Sequence, residues 1–183
     1  GGSSLPGREL HHLSGYEDSR PVRIGNAAAE QFQLDVHGEI MDAMHLARRV
    51  GIRTGANSWH LQRHLVDFVA RHWAEPDEGI WEIRGPRRHF THSKVMAWVA
   101  VDRAVRAVEE FQLEGELERW RQLRQEIFDD VCARGFNEAR GAFTQSYDSE
   151  HLDASCLMIP LVGFLPASDP RVRGTVEAIQ REL

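Results

Sequence analysis

The stretch Pro76-Asp77-Glu78-Gly79-Ile80-Trp81-Glu82-Ile83-Arg84-Gly85 sets a carboxyl, Glu82, directly after a large aromatic, with a guanidinium two positions on. Four of its residues are charged, and Gly85-Pro86 closes it. An aromatic face can hold a sugar ring, a guanidinium can bond hydroxyls, and a carboxyl can deliver a proton. Ile80 and Ile83 flank Glu82 with apolar surface. Such surroundings disfavour the charged form of a carboxyl, so it can keep a proton near neutral pH. The competing reading is structural: loop glutamates are commonly solvated, and tryptophans beside helices commonly join the core.

Other constellations are weaker. His60 and His64 are four apart and share a helix face. Two such histidines can bind a metal, but no Glu lies between them in the HExxH arrangement and no third ligand is evident. His89 and His92 follow the Glu82 loop; they can bond a polar ligand or cap the next helix. Arg20, Arg23 and Asn26 precede the first helical pattern, where they can hold hydroxyls or an anion, or simply cap the helix and charge the surface. Lys94 is adjacent to Ser93, not three residues beyond it, so there is no SxxK dyad. GxSxG, P-loop and GxGxxG patterns are absent.

Six helical patterns must position these residues. Residues 1–21 read as an irregular N-terminal segment. From Gly25, with Asn26 as N-cap, Phe32, Val36, Ile40, Ala43, Met44 and Ala47 recur at three- and four-residue spacing, up to Gly51. A second helix begins near Ser58, with Trp59, Leu61, Leu65, Phe68, Val69 and Trp73 as its stripe, and Pro76 ends it. A third opens near Thr91 or Ser93, with Val95, Met96, Val99, Ala100, Ala104, Ala107, Val108 and Phe111 inward, and Gly115 separates it from the next. A fourth carries Leu117, Trp120, Leu123, Ile127 and Val131, with Gly135 as C-cap. Residues 136–151 read as a long loop, a short β-hairpin being the alternative. A fifth helix is predicted from Asp153 to Phe164, kinked at Pro160. Ser168-Asp169-Pro170 starts a sixth, with Val172, Val176, Ile179 and Leu183 inward. Helices in succession without a strand pattern define an all-α chain.

Composition narrows the function classes. The 183 residues suffice for one domain with a sizeable core. The net charge of −6, without a basic face, argues against nucleic acid as a partner. No apolar run is long enough for a membrane span. Cys132 and Cys156 have apolar neighbours and no CxxC pairing, which predicts free thiols and a reducing, cytoplasmic setting. Nothing calls for a cofactor or a metal.

Three segments together resemble glycoside hydrolase family 15, the family of glucoamylases, glucodextranases and certain bacterial trehalases. The first runs from Ser19-Arg20-Pro21-Val22-Arg23-Ile24-Gly25-Asn26 to Asp35. The second is the Trp81-Glu82 stretch, Pro76 to Gly85, with Arg88-His89-Phe90-Thr91-His92-Ser93-Lys94-Val95-Met96. The third is Gly141-Ala142-Phe143-Thr144-Gln145-Ser146-Tyr147 with Leu152-Asp153-Ala154-Ser155 and Leu161-Val162-Gly163-Phe164-Leu165-Pro166. The resemblance implies an (α/α)6 toroid of which residues 1–183 form a partial catalytic domain, about half of the barrel. It implies an inverting enzyme that releases glucose from an α-linked glucoside, trehalose or a maltooligosaccharide. Glu82 would be the general acid and Trp81 would line the glucose site. Arg20 and Arg23 would bind sugar hydroxyls, with Arg84, His89 and Lys94 as supports. Where fungal glucoamylases carry a second acid this chain has Ile83, which favours the trehalase-like branch. The base is expected beyond Leu183, with the rest of the barrel, since Glu177 and Glu182 sit in an ordinary helical pattern. Half a toroid would leave faces unpacked, so the isolated chain is expected to fold poorly or to associate. The alternative is a non-catalytic helical module that binds carbohydrate or protein.

Overall fold

The computed structural model describes residues 7–25, 27–52 and 55–183. The chain divides into two compact units, residues 1–32 and 33–183. In the first, β1 (Arg8–Glu9) pairs antiparallel with β2 (Arg23–Ile24), Arg8 opposite Ile24 and Glu9 opposite Arg23. A 3-10 turn spans Tyr16–Asp18 and another Ala27–Glu30.

That second turn corrects the helix expected from Gly25. Ala27–Glu30 is a 3-10 turn, and the first α-helix starts only at Asp35. Asn26, read as its N-cap, lies outside the described residues.

The second unit holds α1 (Asp35–Arg49), α2 (Ala56–His72), α3 (Thr91–Phe111), α4 (Leu117–Arg134), α5 (Met158–Leu161) and α6 (Pro170–Glu182). Between α4 and α5 stands a two-residue hairpin, β3 (Phe136–Asn137) with β4 (Ala142–Phe143). The architecture is all-α, as the sequence predicts. Helix α3 is its centre, packed by α1, α2 and α4. Residues 91–105 are buried on every side of α3. An apolar run with small residues at 97, 100, 104 and 107 permits that, because neighbours can approach from all directions.

Two buried charges lock the packing. Arg103 donates to Asp42 of α1 at 2.7 Å, to Asp102 at 2.6 Å and to the Val162 carbonyl at 2.8 Å. Asp102 also accepts from Arg106 at 2.8 Å and from Arg124 of α4 at 3.0 Å. Buried ions persist where such pairing replaces their water.

Helices α4 and α6 match their predicted faces best. Trp120, Leu123, Ile127 and Val131 are buried on α4. On α6, Asp169 caps by accepting from the Arg171 N–H at 2.9 Å, and Val172 and Ile179 face inward. Leu183, expected inward, is 75% exposed, while Thr175 is buried and accepts from the Phe143 N–H at 2.9 Å.

The faces of α1 and α2 are rotated from the apolar stripes. On α1 the buried residues are Asp35, Gly38, Met41 and His45, while Val36 and Leu46 are exposed. On α2, Gln62, Val66 and Val69 are buried and Leu61 is exposed. Gln62 is satisfied there, accepting from Arg48 at 3.0 Å and donating to the Ser58 carbonyl at 3.1 Å.

The fifth helix is far shorter than expected. Ala154–Leu157 is a 3-10 turn, and α5 spans only Met158–Leu161. Pro160 has no N–H to give the carbonyl four residues back, and Gly163 turns left-handed with a φ of +78°, so the helical segment stays at a single turn. Among the described residues no helix is long and apolar enough to cross a membrane.

Candidate active site

The loop that carries Trp81 and Glu82 is closed and tethered by backbone bonds. Asp77 and Arg88 form an antiparallel bridge, with N···O distances of 2.9 and 3.0 Å in the two directions. Inside it, Arg87 pairs with Glu78 at 3.0 Å. Gly79 lies on the Phe90 ring: a Cβ there would meet Phe90 Cδ2 at 2.6 Å, and its φ of +69° is also left-handed. Glu82 has a φ of 50°, a left-handed conformation uncommon for a residue with a side chain. Its N–H donates to the Gly79 carbonyl at 3.1 Å, and that of Ile83 to the Glu78 carbonyl at 3.3 Å.

The loop presents its chemistry outward. Glu82 and Arg84 are exposed, Trp81 is 59% exposed and Ile80 is 42% exposed. This corrects the expectation that Ile80 and Ile83 shield the carboxyl from solvent: Glu82 is exposed. Trp81 is nevertheless fixed, because its indole N–H donates to Asp153 Oδ2 at 2.8 Å.

Behind the loop, residues 89–91 run antiparallel to residues 145–147. Phe90 bridges Ser146, the Thr91 N–H donates to the Gln145 carbonyl at 3.0 Å, and the Tyr147 N–H donates to the His89 carbonyl at 2.9 Å. The second and third segments singled out in the sequence therefore meet in space. His89 is half-buried and stacks on Tyr147, ring centres 5.8 Å apart. Burial, with Lys94 and Arg134 nearby, depresses the His89 pKa, so the ring is neutral. The Tyr147 hydroxyl donates to Asp130 at 2.9 Å. A cleft of about 550 Å³ opens beside this stack, lined by Arg88, His89, Tyr147 and His151 among others.

The layer beneath is polar and buried. Thr91, His92, Ser93 and Lys94, the first turn of α3, are all buried. Lys94 is fully enclosed, and its ammonium donates to the Trp73 carbonyl at 2.5 Å and to the Glu75 carbonyl. It thus ties the end of α2 to the segment entering the loop. Burial pushes its pKa down to about 8, against the pull of Asp77. Asp77 is also fully buried and accepts from the Leu34 N–H at 3.1 Å. Burial raises its pKa, with the Leu34 N–H and Lys94 acting against the rise. Burial likewise keeps His92 neutral, opposed by Asp153 and Asp77.

Of the residues expected at the site, Trp81, Glu82 and Arg84 share one turn and His89 stands at the foot of the loop. Lys94 lies below it with its charge spent on backbone carbonyls. Arg20 and Arg23 belong to the first unit, where both are exposed and Arg23 pairs with Glu9 at 3.0 Å. Asp153, Gln145 and Asp77 have no role assigned from the sequence, since their partners lie far along the chain. The one local signal is Asp153-x-Ser155, a capping pattern realised by a 2.8 Å bond from the Ser155 N–H.

Among the described residues no group of three or more side chains could hold a metal ion. The His60 and His64 Nε2 atoms lie 2.9 Å apart on an exposed face of α2.

Comparison with known proteins sets this geometry in a family. The chain matches Glycosyl hydrolases family 15 over residues 2–183 and belongs to that family. It is 47% identical over 183 residues to the trehalase of Mycobacterium tuberculosis, covering all of this chain and 27% of that protein. With the trehalase of Thermoplasma acidophilum the identity is 38% over 176 residues, covering 96% of this chain and 30% of the relative. The chain thus spans less than a third of the length of these curated relatives. A solved glycosidase in complex with glucose superposes with a TM-score of 0.72, covering 91% of this chain and 46% of that one. The identity there is 19%, so the likeness is one of fold. It is the fold expected of part of an (α/α)6 toroid.

Proposed function

We propose that this chain supplies the acid-bearing part of an inverting α-glucoside hydrolase acting on trehalose, with Glu82 as the general acid. The observation that carries the reading is the Trp81-Glu82 turn. A carboxyl is held in a left-handed conformation on a tethered loop, beside an aromatic face, in a chain 47% identical to a trehalase.

In this mechanism the protonated Glu82 carboxyl donates to the glycosidic oxygen as the C1–O bond breaks, so that one glucose leaves neutral. Water attacks C1 from the opposite face and yields its proton to a carboxylate base outside residues 1–183. In inverting enzymes the two carboxyls stand roughly 6.5–9.5 Å apart, which leaves room for that water. The Trp81 N–H is spent on Asp153, so its exposed ring is what remains for the sugar. Arg84 and His89 support the acid, Lys94 positions the loop, and Arg20 and Arg23 bind sugar hydroxyls. The remaining helices of the barrel lie outside this chain, which accounts for the exposed apolar faces of α1 and α2. The free thiols of Cys132 and Cys156 support a cytoplasmic setting.

Trehalose joins two α-anomeric carbons, so inversion at one of them releases one β- and one α-glucose. Proton NMR of the first turnovers of the full-length protein on trehalose tests this. Equal nascent β- and α-signals are expected. Purely α-glucose, or no hydrolysis, would remove the proposal.

A further inference from the structure

Trp81 combines two properties that rarely coincide: its side chain is largely exposed, yet its one polar atom is anchored at depth. The anchor, Asp153, is 5% exposed and comes from 72 positions along the chain. Its Oδ2 accepts from the indole and, at 3.0 Å, from Gln145 Nε2. Its Oδ1 accepts from the Ser155 N–H at 2.8 Å, where Asp153 caps a 3-10 turn. Burial acts to raise its pKa, but these donors outweigh burial and hold it below the ordinary aspartate value. It is therefore ionised, and the indole bond is charge-assisted. The residue after Trp81 is Glu82, in a backbone conformation that persists only where its surroundings impose it.

We propose that Asp153 is a positioning residue: its carboxylate clamps the Trp81 indole and thereby fixes the direction in which the adjoining Glu82 side chain points. The proposal rests on Glu82 as the general acid. Asp153 is buried and acts through Trp81. Gln145, on the strand-like segment that pairs with residues 89–91, holds the same oxygen and keeps the clamp in register with the loop.

The test uses full-length protein labelled with 15N-tryptophan, the Trp81 signal being identified by its loss in Trp81→Phe. Asp153→Asn keeps a residue competent to cap the 3-10 turn and removes the charge. Hydrogen exchange of the Trp81 indole should then accelerate about tenfold or more, the other indoles being unchanged. On trehalose, kcat should fall about 10–100-fold with KM nearly constant, as expected when an acid is misaimed while binding persists. Trp81→Phe, which leaves the cap intact but trims the ring that faces the sugar, should lower kcat at least as far with some rise in KM, and the double variant should have a kcat no lower than that of the worse single one. Unchanged indole exchange in Asp153→Asn would overturn the clamp. Unchanged kcat, or a rise in KM alone, would overturn its role in aiming Glu82. A wild-type protein that hydrolyses no α-glucoside would defeat the assignment of Glu82 instead, and the indole exchange would still decide the clamp.

Discussion

Gly38 of α1 lies against the main chain of Met96 on α3 so closely that a Cβ at position 38 would stand 2.2 Å from the Met96 carbonyl oxygen. The obstructing atom is backbone, so it cannot swing aside as a side-chain tip would. The approach lets α1 and α3 pack nearly in contact, and α3 in turn carries Lys94 beneath the loop.

Gly38→Val should therefore destabilise the fold by about 3 kcal/mol, the upper end of the usual range for overpacking, because the obstructing atom is main chain. Urea denaturation should show a lower midpoint at an unchanged slope. A midpoint equal to wild type would mean that the two helices are not in this register.

Lys94 predicts a distinctive pH dependence. Its folded pKa, about 8, lies below the 10.5 of the free side chain. Between those values the unfolded chain holds a proton that the folded chain has released, so stability rises with pH across the window. It is lost again as pH falls through about 8. Lys94→Met lacks this slope. The stability of wild type relative to the variant should grow by on the order of 3 kcal/mol between pH 8 and pH 10.5. A constant difference would show that the ammonium is not enclosed between the Trp73 and Glu75 carbonyls.

Apolar side chains on one region of the second unit predict self-association. Leu46 is 50% exposed, Val50 74%, Ile52 59% and Leu61 52%, all at α1, at α2 or in their connection. Residues 1–183 expressed alone should associate as concentration rises in sedimentation velocity, and Leu46→Glu with Leu61→Lys should suppress it. A concentration-independent monomer with a sharp cooperative melt would contradict this.

Helices were legible where their buried face is apolar throughout. Trp120, Leu123, Ile127 and Val131 marked α4, and Asp169-Pro170 marked the start of α6. The faces of α1 and α2 were misread because their buried positions include Gly38, His45 and Gln62. Their burial depends on a close main-chain approach or on a partner such as Arg48, neither of which periodicity registers. Pro160 signalled disruption, but not that the helix would shrink to Met158–Leu161. The Trp81-Glu82 break was readable from its prolines and glycines. The left-handed turn at Glu82 and the anchor at Asp153 were not: the first is closed by main-chain bonds to Gly79 and Glu78 that no residue type announces, and the second is a contact 72 positions away.

The most direct measurement is glucose release from trehalose by the full-length protein with Glu82 intact and with Glu82→Gln. The amide keeps the shape and removes the proton that the carboxyl would deliver. Turnover should fall by about 10²–10⁴-fold, while trehalose binding, followed by calorimetry, should persist. Turnover undiminished in Glu82→Gln would contradict the account, because the leaving glucose would then take its proton from some other group.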